Sequence, residues 1–197
     1  MFYIFYLMER KKLILKILLL VFVVSSSMAE DISAYEKNSI FVIKELSHKL
    51  KTTVKSVMQK SGAIEAIEYC NIAALDLTEE VAIDSALVLK RTSLKYRNNH
   101  NAPDNWELSV LKRFEKRKSD GEDINLITES AIIDSPEKIF RYMKAIPTGK
   151  PCLTCHGAEI KSNIVAKINE LYPYDKAKNF KVGDIRGAFS VIIPIEN

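Results

Sequence analysis

Residues 126–146 read Leu-Ile-Thr-Glu-Ser-Ala-Ile-Ile-Asp-Ser-Pro-Glu-Lys-Ile-Phe-Arg-Tyr-Met-Lys-Ala-Ile. Two runs rich in β-branched and aromatic residues, Leu126 to Ile133 and Ile139 to Ile146, flank Ser135-Pro136, which predicts two strands joined as an antiparallel hairpin. Downstream, Ile185 to Ile195 reads as a further strand, and upstream Ser85 to Arg91 reads as another. Around these lie helical patterns. Ser33 and Glu36 have capping-box spacing, and Ile43, Leu46, Leu50, Val54, Val57 and Met58 recur at three- and four-residue steps up to about Lys60. Ser61-Gly62 breaks that stripe, and a second helix is expected from Ala63 to Leu77. Thr92 to Asn105 reads as a loop. Asp104 and Glu107 then cap a helix that buries Val110, Leu111 and Phe114, and a last helix from Ile160 to Tyr172 stops before Pro173. Helices first, then antiparallel strands with helical insertions, predict an α+β fold with a long N-terminal helix and no internal repeat.

Further out, the N-terminus explains the charge. Arg10, Lys11, Lys12 and Lys16 precede or interrupt the apolar run Leu13 to Val24, and small residues surround a cut after Ala29. This is the pattern of a secretory signal peptide over residues 1–29, with Met8 the better translation start. The apolar run is shorter than the roughly 20 residues that span a bilayer, and the competing reading is an uncleaved membrane anchor. Either way residues 30–197 form the functional domain, periplasmic or otherwise exported. The whole chain carries 29 basic and 25 acidic residues, +4; residues 1–29 hold four bases and one acid, so 30–197 carry 25 against 24, or +1. Without a basic stripe interleaved with aromatics, nucleic acid is not an expected partner. At 197 residues with ordinary composition, one packed domain is expected.

Cys152-Leu153-Thr154-Cys155-His156 is the attachment signature of a c-type haem. Two thiols at this spacing can form thioethers with the two vinyl groups of one porphyrin, and the adjacent imidazole can turn onto the iron from the same side. Covalent attachment of this kind occurs outside the cytoplasm, in keeping with the signal. Three other chemistries use such cysteines. A thioredoxin-like dithiol follows a strand and gives His156 no role, zinc needs a fourth ligand, and a disulfide across so small a loop adds little stability. From chemistry alone the second axial position is open to His48, His100, Met58, Met143 or Cys70. Met58 lies in the apolar stripe, and Cys70 also reads as a small buried hydrophobe.

Several further segments occur in order: Glu68-Tyr69-Cys70-Asn71, Arg91-Thr92-Ser93, Arg97-Asn98, Asn101-Ala102-Pro103 with Trp106-Glu107, Phe140-Arg141-Tyr142-Met143-Lys144, and Gly183-Asp184-Ile185-Arg186-Gly187-Ala188-Phe189-Ser190. Together with the haem signature they resemble a family of exported single-haem proteins, long classed as a domain of unknown function and with a cyanobacterial structural representative. The resemblance covers about residues 35 to 194. It implies a PAS-like antiparallel sheet flanked by helices, one covalently attached haem c, His156 as one axial ligand and Cys70 as the other. Asn179 stands where the pattern leads one to expect Gly, and Asn tolerates positive φ.

A thiolate ligand favours ferric iron, so reduction would weaken the Cys70 bond and open a position for a small gas. The expected function is haem-based redox or small-ligand sensing, and the alternative is a periplasmic electron-transfer cytochrome with a redox partner protein. No kinase or methyl-accepting segment follows Asn197, so a signal would pass to a separate partner. An enzyme is not expected, since no distal acid–base set is visible. Arg91, Arg97, Arg141 and, less strongly, Lys144 are the candidate partners of the haem propionates, because guanidinium forks match carboxylates. The competing partners for Arg91 and Arg97 are Asp104 and Glu107. Tyr142 and Trp106 are expected to pack near the porphyrin, and Arg186 has no role derivable from sequence.

Overall fold

A computed structural model describes residues 32–195 apart from 86 and 135. The expected signal segment (1–29) and the Ser135 turn lie outside the described residues. The chain divides into two units, Met1–Asn38 and Ser39–Asn197. In the first, residues 32–38 are helical. Ser33 is therefore inside a helix and not its cap, since the Ser-x-x-Glu spacing also fits two positions of a continuing turn.

The second unit opens with helix α1 (39–60). Its buried face is Val42, Ile43, Leu46 and Leu50, and burial fades along the stripe to half-exposed Val54, Val57 and Met58. Gly62, at φ 95°, breaks the chain direction before α2 (Ala63–Asp84). α2 runs past Leu77 because Thr78 and Val81 continue the face of Ala66, Ile67 and Ala74. Glu79 and Glu80 occupy its exposed side, and the Thr78 hydroxyl donates back to the Ala74 carbonyl at 2.7 Å. Lys49 of α1 pairs with Glu80 of α2 at 3.0 Å.

Four strands make one antiparallel sheet: β1 (Val88–Thr92), β2 (Thr128–Asp134), β3 (Lys138–Pro147) and β4 (Ile185–Pro194), in the order β1-β4-β3-β2. The mixed α and β architecture expected from sequence is thus present. Residues 124–126 form a 3-10 turn capped by Asp123, so β2 starts at Thr128 and not Leu126. Between β1 and β2 lies α3 (Asn105–Ser119), opened by the expected capping box between Asp104 and Glu107. Its Val110, Leu111 and Phe114 form one core with Ile127, Met143, Ala145, Ile185 and Ala188. After β3 come a short helix α4 (Leu153–His156) and α5 (Ser162–Leu171), with Tyr172 as C-cap before Pro173.

Register fixes which side chains share a face, because directly opposed residues point the same way and successive residues alternate. Arg91 is opposite Phe189, whereas Arg141 is opposite Ile192. Arg91 and Arg141 therefore leave opposite faces of the sheet. Met143, Ala145 and Ala188 put Arg141 on the α3 face. Arg91 lies on the other, where its Nη2 donates to the Ala74 carbonyl of α2 at 3.4 Å.

A bulge interrupts this alternation. Ile146 is opposite Gly187, but Pro147 is opposite Ile185, so Arg186 has no place in the ladder. Ile185 and Ala188, three residues apart, consequently enter the same core, and Arg186 is re-aimed. Gly187 is required at the bulge: a Cβ there would stand 2.3 Å from the Thr92 carbonyl oxygen.

Candidate functional site

Cys152 closes a 3-10 turn, Lys150–Cys152, with Pro151 inside it, and Cys155 and His156 end α4. β3 ends at Pro147, shortly before this pair, but β3 and β4 run antiparallel, unlike the βαβ unit of a thioredoxin-like dithiol. Cys70, Cys152 and Cys155 are free thiols. Among the described residues no group of three or more His, Cys, Asp or Glu converges as a closed metal cage would require.

The segment following α5 folds back over α4. Asn179 N donates to the Gly157 carbonyl at 3.1 Å and Phe180 N to the His156 carbonyl at 3.0 Å. Asn179 makes this possible at φ 63°, the left-handed conformation for which a Gly was the alternative. His156 Nδ1 lies 2.9 Å from the Ala177 carbonyl oxygen. A carbonyl can only accept, so Nδ1 carries the proton and the neutral ring keeps its lone pair on Nε2. Burial first, then the charges of Arg186 and Arg97, hold the imidazole well below its ordinary value of 6.5. Phe180 meets the His156 ring edge-on, with centroids 6.3 Å apart.

Arg97 is the knot of this segment. Its Nη2 donates to the carbonyls of Cys155 (2.6 Å) and Ala177 (3.3 Å), and its Nε and Nη2 grip Asp175 at 3.1 and 3.2 Å. Asp175 is 1% exposed and also accepts the Ala177 N–H at 2.8 Å. Arg186, turned out by the bulge, reaches the Ser93 hydroxyl at 3.4 Å and the Lys95 carbonyl at 3.2 Å and lies over the Phe180 ring. Burial, then Arg97 and Arg91, push its guanidinium down to about 10.

Cys70 on α2 belongs to the same neighbourhood. Burial raises its thiol above the ordinary value, and the nearby charges of Arg91 and Arg97 oppose that rise. Cys155 is likewise raised by burial, with Cys70 and Cys152 adding to the rise and Arg97 opposing it. The residues flanking Cys70 hold α2 against α5: Glu68 pairs with Lys167 at 3.0 Å, Asn71 hydrogen-bonds the Tyr172 phenol, and Ile67 packs with Ile164, Ile168 and Tyr172 beside Cys155. This gives the Glu-Tyr-Cys-Asn motif a physical role.

The structure therefore brings together Cys70, Arg91, Arg97, Cys152, Cys155 and His156, and adds Arg186, which sequence flagged without a role because only the bulge aims it. Asp175, the carboxylate that fixes Arg97, carried no sequence signal. Arg141 is not brought to this group. It leaves the α3 face, reaches Asp104 at 2.7 Å and Glu107 at 3.5 Å, and lies 4.4 Å over the Trp106 ring. Asp104 and Glu107 thus hold Arg141, not Arg91 or Arg97, and Trp106 is packed there too. Lys144 donates to the Asn125 carbonyl at 2.6 Å. Met143 is fully buried in the α3 core, and His48 and His100 are exposed.

The family model for Tll0287-like proteins matches residues 23–194. Among solved structures, the crystal structure of the cyanobacterial heme-protein Tll0287 has a TM-score of 0.59 and 23% identity, over 79% of this chain and 91% of that one. No curated protein matches the chain.

Proposed function

The chain belongs to the Tll0287-like family, and from that premise we propose that it is an exported haem protein that senses redox state or a small ligand and does not turn over a substrate. Cys152 and Cys155 would carry one haem c as thioethers, His156 Nε2 would bind the iron on one side, and Cys70 would supply the other axial ligand. The structural relative is itself a heme-protein. The observation that carries the reading is the ring of His156: its Nδ1–H is spent on the Ala177 carbonyl at 2.9 Å, which leaves the lone pair for a metal on Nε2 of the residue that follows Cys155. A helix-flanked antiparallel sheet supports the PAS-like reading, and residues 1–29 support export.

The residues present fit such a group. Arg186 feels the charges of Arg97, Arg91 and Asp175, and both oxygens of that carboxylate are already engaged by Arg97. The buried Nε of Arg91 has no hydrogen-bond partner, and neither Arg91 nor Arg186 has a carboxylate partner among the described residues. Two such guanidiniums suit a dianionic pair of propionates or a thiolate at Cys70. Bound haem supplies a one-electron couple and axial iron positions. The chain's own residues do the rest. Ala177 fixes the tautomer of His156, Phe180 packs edge-on against its ring, and the charges of Arg91 and Arg97 favour loss of the Cys70 proton when a metal binds.

The test is the absorption and paramagnetic-resonance spectra of the holoprotein beside those of Cys70→Ala, followed by dithionite and carbon monoxide. We expect a thiolate-type low-spin spectrum that is lost in the variant, and carbon monoxide binding on reduction. Identical spectra would remove Cys70 from the iron, and a low-spin spectrum indifferent to carbon monoxide would leave electron transfer as the function.

A further inference from the structure

The loop of Arg97 and the loop that orients His156 have an outer surface that nothing above uses. Residues 93–97 and 172–183 hold five basic side chains against a single acid, and that acid, Asp175, is buried under Arg97. These segments contribute +4, whereas 30–197 as a whole carry +1, so the rest of that region is net acidic. α2 alone has six acids and no base. Positive charge is therefore concentrated on the two loops, with Glu115 beside Lys95 and Asp184 beside Lys181 at their border, and such a concentration orients an incoming charged molecule.

The same loops expose apolar surface. Tyr174 is 71% exposed, Val182 55% and Leu94 36%. The loops interlock: Lys176 N donates to the Tyr96 carbonyl at 3.0 Å, and Lys95 lies 5.1 Å over the Phe180 ring. Exposed apolar side chains interspersed with lysines on interlocked loops have the composition of a protein interface. Two of these lysines, Lys95 and Lys176, are also held in place. Lys176 Nζ donates to the Tyr96 hydroxyl at 2.8 Å, so less side-chain entropy remains to be lost on binding. Fixed lysines favour a partner with carboxylates at set positions over a fluid layer of lipid headgroups.

We propose that Leu94, Tyr174 and Val182, interspersed with Lys95, Lys176 and Lys181, are the docking face for an acidic partner protein. A partner seated there lies over the loop that carries Ala177, the carbonyl that orients His156. That consequence rests on the functional reading above, while the binding itself does not.

The probe is a fluorescent peptide of alternating Glu and Ser around one central Phe, titrated into the holoprotein by anisotropy at low salt. Lys95→Glu with Lys181→Glu weakens binding about tenfold, from about 1 kcal/mol or less per ion pair, and the difference fades as salt is raised. Lys51→Glu with Lys55→Glu, an equal charge change on exposed positions of α1, leaves affinity within about twofold. Val182→Ser weakens binding of the Phe peptide but not of a version with Ser in place of Phe. Equal losses from the α1 pair, or binding only to phosphatidylglycerol vesicles, would overturn the proposal. A haem-loaded protein that fails these tests loses the docking face alone, and a protein without haem that passes them loses the functional reading alone.

Discussion

Replacing Arg97 by Met removes one guanidinium and orphans several groups together. Arg97 is 11% exposed and its partner Asp175 1%, so this pair is largely shielded from solvent. The Cys155 carbonyl loses its 2.6 Å donor, the Ala177 carbonyl keeps only His156, and Asp175 keeps the Ala177 N–H at 2.8 Å with Lys178 at 3.8 Å. Breaking a buried pair from one side leaves an uncompensated charge and costs about 3–5 kcal/mol. Neutralising that charge as well should return part of the loss, so Arg97→Met with Asp175→Asn is expected to be about 1–3 kcal/mol more stable than Arg97→Met alone. Urea unfolding of the holoproteins, followed by far-ultraviolet circular dichroism, measures both steps. A single variant within about 1 kcal/mol of wild type, or a second substitution that lowers stability further, would show that the Arg97–Asp175 pair does not hold these loops.

Other consequences follow from the same geometry. Gly187→Ala forces a Cβ against the Thr92 carbonyl at 2.3 Å and should cost at least about 2 kcal/mol in urea unfolding, with β1 the strand that loses amide-exchange protection. Arg141→Met should lower stability by about 1–3 kcal/mol through its pairs with Asp104 and Glu107, while leaving the haem absorption spectrum unchanged; a spectral shift would return Arg141 to the cofactor. Burial opposes ionisation of Asp104, but the Arg141 hydrogen bond, the Glu107 N–H and the charges of Arg141 and Lys90 hold its carboxyl below the ordinary 3.8. The unfolded chain then binds this proton more readily, so the contribution is full above the ordinary value and is lost as pH falls through the folded one. Asp104→Asn should therefore be less stable than wild type at pH 7, and the gap should close in acid unfolding below about pH 4.

The helices and strands were readable where the local period was unambiguous. The hairpin residues 126–133 and 139–146, the Asp104–Glu107 cap and the stop before Pro173 need only neighbouring residues, and all three occur within a residue or two of expectation. α2 outruns the expected Leu77 because Thr78-Glu79-Glu80 is polar in sequence, although Val81 restores the buried face. Ser33 lies inside a helix, where the same spacing to Glu36 is also found.

The sequence by itself determined the chemistry of 152–156: two thiols and an imidazole fixed by covalent spacing, needing no distant residue to be recognised. It also marked Cys70 and the arginines as residues of interest. Which arginines meet the cysteines was decided only by tertiary structure. Arg91 and Arg141 are both strand arginines, but strand register sends them to opposite faces of one sheet. Arg186 reaches Phe180 because a single bulge adds one residue to β4. Side-chain direction in a sheet alternates with every residue, so it depends on pairing between strands far apart in the chain, and no local pattern carries that information.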